Sequence, residues 1–287
     1  MTPTPSPLIS AAELQSLLDG GAELQRFDCS FELAAPDAGQ AAFRAAHLPG
    51  ARYLHLERHL CGPRTGGNGR HPLPSREAFA ATLGAQGLRD DLPVVAMDGS
   101  GGMYAARLWW MLRWVGHPRV QVLDGGLAAW RAAGGALQAG DPPPAVPARF
   151  TLRPARVRMV DFDALRAGLG AGGPLIVDAR GSDRFRGENE TLDPVGGHIP
   201  GAVNRPFRDN LAADGRFKPA DALRADWLAV LAGRAAEQSV AQCGSGVTAC
   251  HNLLAMAVAG LDGASLYPGS WSEWCARDNA PVTTGAS

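Results

Sequence analysis

The 287 residues are 46% hydrophobic and 19% charged, enough apolar side chain for real cores and too little charge for disorder. A formal net charge of −1 removes any global pull toward nucleic acid or an anionic membrane, and no apolar run approaches the roughly 20 residues that span a bilayer. Five cysteines, odd in number and irregular in spacing, suit neither a disulfide framework nor a zinc site, so no metal and no cofactor are expected.

The opening "MTPTPSPLIS" lacks the basic and apolar regions of a secretory signal, and a reduced, cytoplasmic protein is the expectation. An apolar approach to an aspartate follows in "RFDCSF" around Asp28, then a His-x-Pro-Gly-Ala turn in "AHLPGARYL" at His47. Residues 56–74, "LERHLCGPRTGGNGRHPLP", read as a Gly-rich loop. "PVVAM" and "VQVLDG" are buried-strand runs, and "YAARLWWMLRWVG" between them has helical periodicity. "AGDPPPAVPARFTLRPARV" is a linker whose prolines forbid a helix.

The same order then recurs. "LIVDARG" reaches Asp178, "GHIPGAVNR" repeats the turn at His198, and "SVAQCGSGVTACHNLLAM" parallels "VVAMDGSGGMYAARLWWML". "YPGSWSEW" parallels "LDGGLAAW", and the four pairs stand at offsets of 144–151 residues. Collinear matches imply two copies of one domain, placed at 8–140 and 157–283 with the linker at 141–156. Buried strands alternating with helices imply an α/β fold, each copy a mainly parallel sheet flanked by helices.

The repeat separates fold from function. His47 and His198 share a context, as do Asp28 and Asp178, so these four read as structural. Asp98 stands where Cys243 stands, so only the second copy carries a nucleophile and the first should be catalytically silent. On that reading Asp98→Asn leaves turnover within a few-fold and, if loop N–H groups bond to the carboxylate, shifts stability by about 1 kcal/mol. The loop "CGSGVT" follows an apolar strand, where ligand sites of parallel sheets lie, and its thiol reads as exposed for chemistry. Gly244 and Gly246 allow positive φ and uncover backbone N–H groups, which with the next helix's N-terminus make an anion nest. Such a nest favours the thiolate, and Ser245 and Thr248 can add hydroxyl donors. A cysteine phosphatase or arsenate reductase would need an arginine closing the loop at position 249, which is Ala249. Sulfur transfer needs none. Cys250, Cys29 and Cys61 carry no obvious chemistry, and the tryptophan pairs 109/110 and 271/274 read as packing.

The two-copy layout, the His-x-Pro-Gly-Ala turns and "CGSGVTAC" resemble the tandem rhodanese family of 3-mercaptopyruvate and thiosulfate sulfurtransferases, over roughly residues 8–280. The resemblance implies an inactive first domain and a catalytic second one, in which Cys243 takes a donor's outer sulfur as a persulfide and passes it to cyanide, a small thiol or a thioredoxin-like protein. It places Gly244, Gly246, Val247 and Thr248 around the substrate, and Arg184 of "DRFRG" on the donor's anionic end. It implies a relay of Ser245 with His71 and, where the family has aspartate, Glu57. A second family arginine falls on Asp193, leaving Arg205 or Arg186 to replace its charge. A thiosulfate-specific enzyme, a phosphatase-like enzyme and a non-catalytic rhodanese-like module are the alternatives.

Overall fold

A computed structural model describes residues 6–286; residues 1–5, part of the opening segment read above for a signal, lie outside the described residues. The chain divides into two compact units. The first comprises residues 1–61, 74–156 and 213–217, and the second residues 62–73, 157–212 and 218–287. Residues 62–73 therefore cluster with the second unit although they precede the linker in sequence.

Each unit is built on a five-stranded, wholly parallel sheet. In the first, β1 (Leu8–Ile9), β2 (Gln25–Asp28), β3 (Arg52–Tyr53), β4 (Val94–Met97) and β5 (Val120–Leu123) stand in the order β1-β5-β4-β2-β3. In the second, β6 (Arg158–Met159), β7 (Leu175–Asp178), β8 (Val203–Asn204), β9 (Ser239–Gln242) and β10 (Ser265–Leu266) stand in the order β6-β10-β9-β7-β8. Replacing each strand by its partner in the repeat turns one order into the other, so the repeat is structural as well as textual. The expected doubling of an α/β domain holds.

The central strand of the first sheet, β4, is a continuous apolar run, as suits a parallel sheet covered by helices on both faces, whereas its counterpart β9 is Ser-Val-Ala-Gln. β4 and β9 are buried throughout, and both feed a helix: Ala105–Trp114 after β4 and Thr248–Val258 after β9. The helices start where alanines and threonine replace the preceding glycines, and the Gly-rich bend supplies the change of direction. Core side chains in the second unit include Phe185, Val240, Tyr267, Trp271 and Trp274. Trp271 and Trp274 also satisfy their indole N–H groups on the carbonyls of Val195 and Pro281, at 2.8 and 2.9 Å. That is the packing role expected of them.

Both repeated histidines act as wedges. His47 stacks on Phe43 at 4.0 Å with Nδ1 2.7 Å from the Phe43 carbonyl, and His198 stacks on Phe185 at 3.8 Å with Nδ1 2.9 Å from the Phe185 carbonyl. Their backbones bridge antiparallel to Gln138 and Thr283, each tying down the end of its unit's chain. The proline-rich segment is non-helical and runs along the first unit, Ala148 N–H donating to Gly84 and Arg153 N–H to Val115.

Candidate active site

The end of β4 shows what the bend is for. Asp98, 1% exposed, turns its carboxylate into the bend; Oδ1 accepts the N–H groups of Ser100 and Gly102 at 2.7 and 3.0 Å. Oδ2 accepts those of Tyr104 and Ala105, both at 2.8 Å. Four backbone donors at a helix N-terminus thus hold a built-in anion.

At the end of β9 the same bend holds a thiol instead. The N–H groups of Gly244, Ser245, Val247, Thr248 and Ala249 donate to no protein acceptor among the described residues. Gly246 makes the turn, with φ of +75° and space for no side chain: a Cβ there would lie 2.3 Å from the Pro268 carbonyl oxygen. Gly246→Ala is accordingly expected to cost about 1–3 kcal/mol, read from the melting transition, and an unchanged melt would contradict this geometry. Gly244 departs from expectation, since its φ is not positive. It is small for another reason, because a Cβ would meet Arg70 Nη2 at 3.2 Å and Arg184 Nη1 at 3.5 Å.

The loop is anchored from behind. Cys243 N–H donates to Ser270 Oγ at 3.1 Å, and the carbonyls of Cys243 and Gly244 accept the N–H groups of Trp271 and Ser272, both at 2.9 Å. Cys243 is only 2% exposed, which corrects the exposed thiol read from sequence. A strand-end position marks where ligand sites of parallel sheets lie, but the packing around this one covers the thiol. His71 is also buried, and its Nδ1 lies 2.8 Å from Ser245 Oγ. Gly69 permits this arrangement: with φ of +83° and a hypothetical Cβ 2.7 Å from the Gly269 carbonyl oxygen, it lets segment 62–73 lie against 269–272.

An alternating row of charges leads to the loop. Asp178 and Arg180 pair at 2.7 Å with both side chains at most 1% exposed, and Arg180 lies 4.6 Å over the Trp271 ring. Arg180 reaches Glu190 at 3.5 Å, Glu190 holds Arg184 at 2.8 Å, and Asp193 touches Arg184 at 3.2 Å and Arg70 at 2.6 Å. Burial pushes the Glu190 carboxyl up, but the Leu192 N–H and the Arg184 guanidinium outweigh it and hold the group below its ordinary value. Asp178 thus does more than end a strand.

The structure brings Cys243, Ser245, His71, Arg184, Gly244, Gly246, Val247 and Thr248 together in the second unit. Glu57 belongs to the first unit, on the short helix Leu56–His59. Arg205 is turned elsewhere: it binds Asp226 at 3.0 Å and covers Trp227, so it does not supply the charge expected of it beside the loop. Arg186 pairs with Glu188. The cation that stands there is Arg70, which sequence reasoning passed over inside a loop without a repeat counterpart. Cys250 is buried and donates its S–H to the Gly246 carbonyl. Burial pushes the Cys29 thiol well above its ordinary value, and burial with the Asp193 charge pushes Cys275 up to about 11.

Comparison with known proteins agrees with this layout. The rhodanese-like domain profile matches twice, at residues 10–133 and 161–277. The chain is 47% identical over 280 residues to a probable 3-mercaptopyruvate sulfurtransferase of Pseudomonas aeruginosa, covering 97% of this chain and 98% of that one. It is 41% identical to a putative thiosulfate sulfurtransferase of Mycobacterium tuberculosis, with 98% of each chain covered. Among solved structures, the 3-mercaptopyruvate sulfurtransferase from Leishmania major superposes with a TM-score of 0.84 at 29% identity, covering 98% of this chain and 78% of that one. With two matched domains, a shared sheet order and a cysteine at the second cradle, the chain belongs to the rhodanese-like family in its tandem form.

Proposed function

We infer that the protein is a sulfurtransferase: it takes a sulfane sulfur from 3-mercaptopyruvate or thiosulfate, holds it as a persulfide on Cys243, and passes it to cyanide, a small thiol or a thioredoxin-like protein. The observation that carries this reading is the pair of cradles, one filled by the Asp98 carboxylate and the other framing Cys243 with N–H groups that no protein acceptor uses. The Cys243 thiolate attacks the donor's outer sulfur, and an S–S bond forms. With 3-mercaptopyruvate the C–S bond breaks, and the electron pair left on carbon takes up a proton to give pyruvate. With thiosulfate the S–S bond breaks and sulfite leaves. The acceptor then attacks the outer sulfur, cyanide departing as thiocyanate, and the Cys243 thiolate returns.

His71 and Ser245 support the 3-mercaptopyruvate half-reaction. With its proton on Nδ1, His71 donates to Ser245 Oγ and leaves the hydroxyl proton for the oxygen that gains charge as the enolate forms. Glu57, the third member we assign to this relay, rests on its place in the sequence. Arg70, Arg184, Glu190 and Asp193 sum to zero formal charge, a surrounding that suits one added carboxylate better than the dianion thiosulfate. We therefore favour 3-mercaptopyruvate, with thiosulfate also accepted. All five thiols are free, which supports a reducing compartment and the cytoplasm as location. No helix among the described residues is long and apolar enough to cross a membrane.

Donor treatment is expected to raise the intact mass by one sulfur, roughly 32 Da, mapping to the Cys243 peptide. An adduct on Cys250, or none, would overturn the assignment. A kcat/KM for thiosulfate above that for 3-mercaptopyruvate would reverse the donor preference and leave sulfur transfer standing.

A further inference from the structure

The comparison of copies that singles out Cys243 also marks a place in the first unit. β8 and the turn Phe207–Asn210 repeat β3 and the helix Leu56–His59 with the same spacing, so Arg52, Tyr53, Arg58 and His59 fall on Val203, Asn204, Asp209 and Asn210. In the second unit the last of these serves the fold, Asn210 being fully buried and donating to Asn252 at 2.7 Å. The shared architecture therefore needs neither the two guanidiniums nor the imidazole. In the first unit the four residues line a cavity of about 390 Å³, together with Gln40 of the helix Ala38–Ala45 and Asp141 at the start of the linker. Small-molecule pockets run from roughly 300 to 1,000 Å³, so the space suits an organic ligand better than a bare inorganic ion.

The acceptors in this lining are largely taken. Gln40 Oε1 accepts from Arg58 Nη2 at 2.7 Å, His59 Nδ1 accepts the His55 N–H at 2.8 Å, and the Asp141 carboxylate holds Arg44 Nε at 2.8 Å. What remains open is donors. With Nδ1 an acceptor, the His59 proton sits on Nε2; burial, with His55 and Arg58 nearby, pushes the ring down to about 4, so it stays a neutral donor around pH 7. Gln40 keeps its Nε2, Arg58 its Nε, and Arg52 both Nε and Nη2, none of which donates to an acceptor among the described residues. Arg58 Nη1 reaches only the exposed Asp37, at 3.4 Å. The walls are set in advance: Arg52 Nη1 donates to the Pro143 carbonyl at 3.1 Å, and Tyr53 Oη donates to the Ser30 carbonyl at 2.8 Å. Two guanidiniums against one carboxylate, with the open groups mostly donors, favour an anion, and the fixed Tyr53 ring favours a flat body.

We propose that the first unit carries an anion-binding site of its own, a pocket for a small organic oxyanion, a carboxylate or phosphate ester on a planar body, seated on the Nε–Nη2 edge of Arg52 with Arg58, His59 and Gln40 around it. That edge offers the two parallel N–H donors that match a carboxylate or phosphate. The site stands apart from the sulfur-transfer reading, since none of its residues belongs to the unit that holds Cys243. It gives the copy without the cysteine a ligand of its own.

Calorimetric titration of the full chain with phenyl phosphate and with benzoate tests this, inorganic phosphate and neutral benzamide serving as controls. At least one of the two organic anions should bind with a Kd of about 1 mM or tighter, and the tighter one identifies the head group. Inorganic phosphate lacks the body and benzamide lacks the charge, so each should bind about tenfold more weakly or worse. Arg52→Val and Arg58→Asp bring in the second copy's residues; each should weaken binding about tenfold or more, with turnover of 3-mercaptopyruvate within about twofold and the melting transition kept. Arg52→Lys should recover only part of the loss, because an ammonium lacks the fork. No binding of either organic anion, equal affinity for either control, or binding that survives Arg52→Val in a folded protein would overturn the proposal. The cysteine loop can also attract anions, so Arg184→Ala is titrated in parallel and should bind as the wild type does. Binding lost in that variant and kept in Arg52→Val would put the anion at the loop and overturn the proposal, while leaving sulfur transfer standing.

Discussion

Cys243→Ser is expected to lower turnover with either donor by about a thousand-fold or more while leaving the melting transition in place. The substitution keeps shape and hydrogen-bonding capacity, so the anchors on Ser270, Trp271 and Ser272 survive. It removes the one atom that can form the S–S bond. Three of the other four thiols are poor substitutes: Cys29 is held protonated by burial, Cys275 is pushed up to about 11, and Cys250 spends its proton on the Gly246 carbonyl. Steady-state rates beside a thermal melt decide the matter. Residual turnover above a few per cent would put the nucleophile elsewhere.

Asp98→Ala is expected to destabilise the protein by about 4 kcal/mol or more, with Asp98→Asn losing roughly half as much. The figure of about 1 kcal/mol expected from sequence, for Asp98→Asn with loop N–H groups bonded to the carboxylate, is too small. Four N–H groups converge on this one, all at 3.0 Å or less, in a place 1% exposed to solvent. Alanine leaves all four donors unpaired, whereas asparagine keeps one acceptor oxygen and opposes the other two N–H groups with an amide NH2. Denaturant midpoints of the full chain read the loss, and turnover per folded molecule should stay within a few-fold. A change below about 1 kcal/mol would mean that water satisfies the bend as well as the carboxylate does.

Much of the fold was legible because it is written twice. The paired strands, the His-x-Pro-Gly-Ala wedges and the two Gly-rich bends obey the same local rules in each copy, and local rules are what a sequence displays. Cys243 was legible for the opposite reason, as the point where the copies disagree. What escaped was non-local. Arg70 lies in a segment with no counterpart, and only its docking beside Ser272 gives it a direction. Asp193 looked like a lost cation until Arg70 appeared opposite it at 2.6 Å. Arg205 was misjudged because its partner, Asp226, stands 21 residues further along on a helix. The thiol's burial likewise depends on what packs over the bend, which strand periodicity does not report.

Residues 62–73 belong to the second unit by their contacts, and residues 213–217 belong to the first. Each half of the duplication has lent the other a piece. A gene cut at the linker would therefore yield a C-terminal product without His71 and Arg70, although it kept Cys243, Arg184 and the whole bend. The two copies have stopped being interchangeable parts, and recombination at their obvious seam would transmit a nucleophile stripped of its histidine and of the arginine beside it.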